Sequence, residues 1–297
     1  MIAVLGLVGS TVPAQAASTD LVTAQETQAA LRGTQDEFVL TASDGAGLGR
    51  SRLSASVMVD IPQNPKRGIA VEIDGSSMTI LLPGAKDSGR GVQLSDGVVA
   101  FPGRRFSNAV IASSEGVQLL TTLSSAASPT RFEYPLDVPQ GATLEEIGGG
   151  NVAVVDTNGL PLVVVQSPWA RDANGSKIET RYSIEGHTLV QHVYHRVPGV
   201  AYPVVADPKF EWWGGLPTVK LNRNDTYKMR YAATPAKLSL CVALGGPAGV
   251  ALAVPCALSI SVLSAKAGSV YAKGKCLRVI IGPGVLGGAE YKDSYCK

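Results

Sequence analysis

All three histidines of this chain, His187, His192 and His195, fall within the ten residues GHTLVQHVYH. Imidazoles gathered so closely could be the donor set of a zinc or copper site. The spacing predicts otherwise. Thr188 to His195 reads as a strand, where side chains alternate, so His192 and His195 point to opposite faces. No carboxylate follows in a zinc-like pattern, and the sequence contains no H-E-x-x-H. Solvated or half-buried strand histidines are expected, with no metal and no other cofactor.

Other reactive residue types fare no better. Ser88 in AKDSGRG is followed by glycine, as a protease nucleophile would be, but every histidine comes after it. Lys86 and Arg90 suit an exposed loop, and there is no G-x-S-x-G elbow. Asp172-Ala173-Asn174-Gly175 has glycine fourth rather than sixth, so it reads as a β-turn and not as a calcium loop. Glu145 and Glu146 are adjacent on a strand and diverge, which removes them as an acid–base pair. No enzyme is expected.

Cysteine chemistry has more support. Cys241, Cys256, Cys276 and Cys296 all lie in the last 57 residues, and residues 1–240 contain none. An even number confined to a short segment of an exported chain reads as two disulfides. Spacings of 15, 20 and 20 offer no C-x-x-C for zinc. Three pairings are open, and 241–256 with 276–296 is favoured. Charge divides the chain in the same region. Residues 1–208 carry 14 Lys+Arg against 20 Asp+Glu, a formal −6, whereas residues 209–297 carry 12 against 4, or +8.

The elements that position these residues are mostly strands. The opening MIAVLGLVGSTVPAQAASTD joins an apolar run, Ile2 to Val8, to the small residues Ala14-Gln15-Ala16, although no Lys or Arg precedes the run. Residues 1–16 are expected to be a signal peptide, and the mature chain secreted or associated with the cell envelope. Residues 17–54 hold a helix-compatible piece, DLVTAQETQAALRGTQDEF, and a linker. From 55 to 208, short runs of Val, Ile, Thr and Tyr alternate with turn signals, of which Asp96-Gly97, Asn158-Gly159 and Glu185-Gly186 mark tight reversals. The expected class is α+β, with a mainly antiparallel β domain, a sandwich or a stacked meander.

Two segments of that region are distinctive: P-W-A-x-D-A-N-G at 168–175 and Y-P-V-V-A-D-P at 202–208. With SPTRFEYPLDVPQG they resemble a β region of uncharacterised secreted actinobacterial proteins, over roughly residues 55–208. The resemblance implies a common exported carrier followed by a variable C-terminal part. It implies no catalytic residues.

That C-terminal part, 209–297, contains LSLCVALGGPAGVALAVPCALSISVLSA at 238–265, without a charged residue. Its length permits a membrane span. However, Gly245-Gly246-Pro247 divides it, Pro255 perturbs the remainder, and thirteen of its residues are Gly, Ala or Ser. A reversal at Gly-Gly-Pro would bring Cys241 to Cys256, which a straight helix holds about 22 Å apart. An apolar helical hairpin is therefore expected, followed by a β-hairpin that Cys276 and Cys296 close. KFEWWGGLP reads as a linker whose Trp212 and Trp213 pack across the junction or sit at a membrane interface.

Lys266, Lys273, Lys275 and Arg278 are expected to bind anionic surfaces, a membrane or a cell-wall polymer. The expected function is a secreted two-part effector, bacteriocin-like or toxin-like, with an immunity protein as a possible partner and no nucleic acid. The alternatives are a non-enzymatic envelope-binding or structural protein, its apolar hairpin only a domain core, and a hydrolase with a cryptic site.

Overall fold

The computed structural model describes residues 20–34, 39–94, 97–231, 250–282, 285–292 and 295–297. The expected signal peptide lies outside them. From the N-terminus come β1 (Leu21–Val22), α1 (Ala24–Gly33), β2 (Gly49–Arg52), β3 (Val57–Ile61), β4 (Ile69–Ile73), β5 (Ser76–Ile80), β6 (Val92–Gln93) and β7 (Val99–Phe101). Next are β8 (Gly103–Arg104), β9 (Phe106–Ser113), β10 (Gly116–Leu123), β11 (Arg131–Asp137), β12 (Thr143–Ile147), β13 (Asn151–Val155) and β14 (Pro161–Val165). Then follow β15 (Ala170–Arg171), β16 (Thr180–Glu185), β17 (Thr188–Val193), β18 (Val204–Ala206), β19 (Lys209–Trp213) and β20 (Leu216–Lys220). The chain ends with α2 (Arg223–Met229), α3 (Val250–Ala272), β21 (Cys276–Gly282) and β22 (Val285–Tyr291).

Strands dominate, and their pairings are antiparallel, as the short runs and turn signals predict. One sheet has the order β16-β17-β11-β5-β4-β3-β2. The larger follows β12-β13-β14-β19-β10-β9-β7-β6, with β15-β18 beside β10 and β20-β21-β22 branching from β19. Gly159 and Gly186 take positive φ at the β13–β14 and β16–β17 reversals, where a side chain would be strained.

The two sheets share one apolar core. Val57, Val59, Ile69, Val71, Phe132 and Tyr134 of the smaller sheet meet Phe101, Val110, Leu119, Val154, Val163 and Phe210 of the larger. The larger sheet is also covered on its other face, so β9, β10 and β13 are buried along nearly their whole length, their polar side chains included. α1 covers one part of that face. Its N-terminus is a capping box, in which Thr23 Oγ1 accepts from Glu26 N at 3.2 Å and Glu26 Oε2 accepts from Thr23 N at 2.8 Å. Ala30 and Leu31 then pack on Ala109, Ile111, Leu120 and Val205.

The C-terminal elements cover the other part. Leu263 and Ala267 of α3, with Leu277 and Val279 of β21, pack on Ala153, Val155 and Val164. β21 and β22 form the expected hairpin, and Cys276 is bonded to Cys296. Arg223 fastens α3. Its guanidinium donates to the Tyr271 and Lys275 carbonyls at 2.9 and 2.7 Å and lies 3.7 Å from the Tyr271 ring centroid. Cys241, the Gly-Gly-Pro reversal and the side chain of Cys256 lie outside the described residues. From Val250 the apolar stretch is a single helix that continues beyond it to Ala272. Among the described residues no helix is long and apolar enough to cross a membrane.

Both expected domain boundaries are displaced. β2 belongs to the smaller sheet through its pairing with β3, so residue 55 cuts a hairpin. β19 lies between β14 and β10, so KFEWW is a central strand and not a linker. The cause is visible in its side chains. Phe210 and Trp212 are wholly buried in the shared core, and Trp212 Nε1 donates to the Ser114 carbonyl at 3.0 Å.

Candidate functional site

The structure separates the residues that could do chemistry. His187 is exposed at its turn, whereas His192 bonds to Ser183 Oγ through Nε2 at 2.9 Å. Burial, then the neighbouring cations Arg181 and Arg131, lower the His192 pKa below 6.5. This is a serine–imidazole pair, but among the described residues no carboxylate bonds its other ring nitrogen to orient it. His195 is more buried than expected. Its ring lies in the interior between the Tyr202 hydroxyl, 2.7 Å from Nδ1, and the Pro129 carbonyl, 2.9 Å from Nε2. Among the described residues no three His, Cys, Asp or Glu gather as a metal site. Ser88 is half-buried and donates to the Gly84 carbonyl.

The two distinctive segments brace each other. Asp172 Oδ1 accepts from Asn174 N and Ser176 N, which closes the β-turn, while Oδ2 accepts from Ala201 N at 3.2 Å. Burial alone would raise this carboxyl. The amides of Ala201, Ser176 and Asn174 outweigh it, and the pKa falls below 3.8. β15 pairs with β18, and Asp207 Oδ1 accepts from Trp169 N at 3.0 Å. Asp207 is fully buried. Burial pushes its pKa up to about 7, against the Trp169 amide, Lys209 and Gln118.

The same segments form one wall of a groove of about 560 Å³. β1 and α1 supply the opposite wall. Leu21, Val22, Ala30, Pro203 and Val205 give it an apolar lining, and Asp20, Glu26 and Asp172 supply its charge. Among the described residues no Lys or Arg lines it. Thr122 also lines it. On β10, Thr122 shares the side of Leu120, which packs under α1, so its side chain faces the groove. Thr122 is 1% exposed, and among the described residues its hydroxyl has no hydrogen-bond partner. A buried hydroxyl in this state is uncommon, because it forfeits its bonds to water. Nothing in the spacing of TTLSS marks Thr122; the signal appears only when β18 pairs beside β10 and α1 covers that face.

The C-terminal cations are mostly engaged within the fold. Arg278 is 2% exposed and pairs with Glu115 and the buried Glu211, which also binds Lys209 and Lys220 at 3.2 and 3.1 Å. The expectation that Arg278 binds an anionic surface is therefore wrong, because its charge is held inside the sheet junction. Trp212 is likewise excluded from a membrane interface by burial, and the side chain of Trp213 lies outside the described residues. Lys273 and Lys275 reach solvent but pair with Glu290, whereas Lys266 is exposed on α3. The chain matches no protein-family profile, no curated protein and no solved structure.

Proposed function

We propose that this chain is an exported, non-enzymatic binding protein of the cell envelope that holds its ligand in the groove between α1 and the β15–β18 brace. The observation that carries the reading is Thr122, a buried hydroxyl without a partner in a groove of about 560 Å³. Export is supported by the Ala14-Gln15-Ala16 signal and by the Cys276–Cys296 bond, which suits an oxidising compartment. A common carrier role agrees with the resemblance of residues 55–208, because both distinctive segments line the groove. The test is a ligand-observed NMR screen of envelope fragments against the full chain and Ala29→Trp, which fills the groove from an exposed helix position. Ligands lost in the variant and recovered chemically unchanged support the reading. Ligands that ignore the variant, or return as products, overturn it.

A second reading is a membrane-perturbing effector acting through the C-terminal part. It is favoured by Val262, 64% exposed, and Lys266 one turn away on α3, an apolar and a basic side chain on one face. Dye leakage from anionic vesicles caused by the full chain and lost in Val262→Ser/Lys266→Gln would support it; intact vesicles would overturn it.

A further inference from the structure

The electrostatics of the groove differ from those of the other acidic positions. Asp20 is shared with Arg104 and Arg105, each 3.6 Å away, so its charge is largely answered. Among the described residues no cation answers Glu26 or Asp172. The Glu26 carboxylate is held by the amide and hydroxyl of Thr23, and Asp172 by three backbone amides. Neutral donors stabilise a carboxylate in its ionised form without cancelling its charge. The groove thus combines uncompensated negative charge from two different elements, an apolar lining and one unsatisfied hydroxyl.

We infer that the groove takes a small organic cation: an ammonium or guanidinium on a compact apolar body that carries a second, hydrogen-bonding group for Thr122. The inference rests on the groove being a binding site at all. Each part of the ligand answers a feature already in place. The cation meets Glu26 and Asp172, the body displaces water from Leu21, Val22, Ala30 and Val205, and the polar group gives Thr122 the partner it lacks. An anionic ligand would face like charge and find no Lys or Arg among the lining residues.

Four matched probes separate these contributions: tyramine, phenethylamine, tyrosol and 4-hydroxyphenylpropionate. Each is titrated into the isotope-labelled full chain, with the amides of Ala29, Ala30, Thr122, Ala173 and Val205 as reporters. Tyramine is expected to bind at least tenfold more tightly than tyrosol and the carboxylate. Thr122→Val, which keeps the shape, should bring tyramine to the affinity of phenethylamine. Glu26→Gln retains a capping-box residue, so α1 stays formed while the preference for tyramine over tyrosol falls about tenfold. If tyrosol or the carboxylate moves the same amides at equal or lower concentration, the cation inference falls and the groove remains a binding site. If none of the four moves them, and the fragment screen finds no groove ligand, both fall.

Discussion

Asp207 is buried beside the Trp169 amide and the Gln118 side chain with its carboxyl out of contact with water, and the consequence is a pH dependence of known sign. Its folded pKa, about 7, stands above the ordinary 3.8, so the folded chain binds the proton more tightly than the unfolded one. The contribution of this group to stability is therefore greatest at low pH, falls as pH rises from about 4 to 7, and is level above that. Between pH 5 and 8 the loss is about 2–3 kcal/mol. His195 acts in the opposite direction, because burial lowers its pKa and the folded state resists protonation below 6.5. Asp207→Asn isolates the first effect, since asparagine still accepts from Trp169 N. Urea unfolding at pH 5, 6, 7 and 8 should show a variant whose stability relative to wild type rises by about 2–3 kcal/mol across that range; a constant difference would refute it. A buried pair gives a second expectation. Arg278→Gln should cost about 1–3 kcal/mol, because Glu211 keeps Lys209 and Lys220 but loses one charged partner, while Lys266→Gln/Lys273→Gln/Lys275→Gln should change stability by no more than about 1 kcal/mol. Equal thermal denaturation midpoints for the two variants would contradict the assigned burial. Sequence treated these four cations as equivalent, because a one-dimensional pattern carries no sign of which strand a residue will face.

At the level of elements, legibility followed local chemistry. Hairpins with Asn-Gly or Glu-Gly reversals, and α1 with its helix-compatible composition, are decided by residues adjacent in sequence. β19 and β20 are not. KFEWWGGLPTVK contains a Gly-Gly turn between two short runs, but its first run is stabilised by β10 and β14, which lie about 50–95 residues earlier. The buried Glu211 also disguised it, since a carboxylate between Phe210 and Trp212 resembles the alternation of a half-exposed strand. The C-terminal hairpin depends on both kinds of information. Cys276 and Cys296 staple β21 to the chain end across a separation of 20 residues, while β20 holds its other side. Replacing both cysteines by alanine should cost about 3 kcal/mol. Hydrogen exchange should then speed first in 276–291 and leave β3, β4 and β17 protected. Uniform acceleration across both sheets would mean that the hairpin and the sandwich unfold only together.

For the whole molecule, charge and cysteine content suggested two modules, and the sheet contradicts that division. A boundary near 209 coincides with a change in composition, yet β19 is an interior strand, paired on both sides and carrying Trp212 into the core between the sheets. Beyond β19 the segment builds a further layer, and its Lys220 and Arg278 meet Glu211 of β19 and Glu115. A chain ending at 208 would lose β19, expose the edges of β10 and β14, and leave a cavity where Phe210 and Trp212 lie. Burial of two large aromatic side chains contributes several kcal/mol, comparable with the whole stability of an ordinary domain. Open edges also invite pairing with other chains. Residues 20–208 are therefore expected to be aggregated or to lack a cooperative thermal transition, and the separate segment 209–297 to be unfolded for want of β10 and β14. A soluble 20–208 fragment that melts cooperatively near the full-length midpoint would restore two independent modules and return the C-terminal part to the role of a detachable effector.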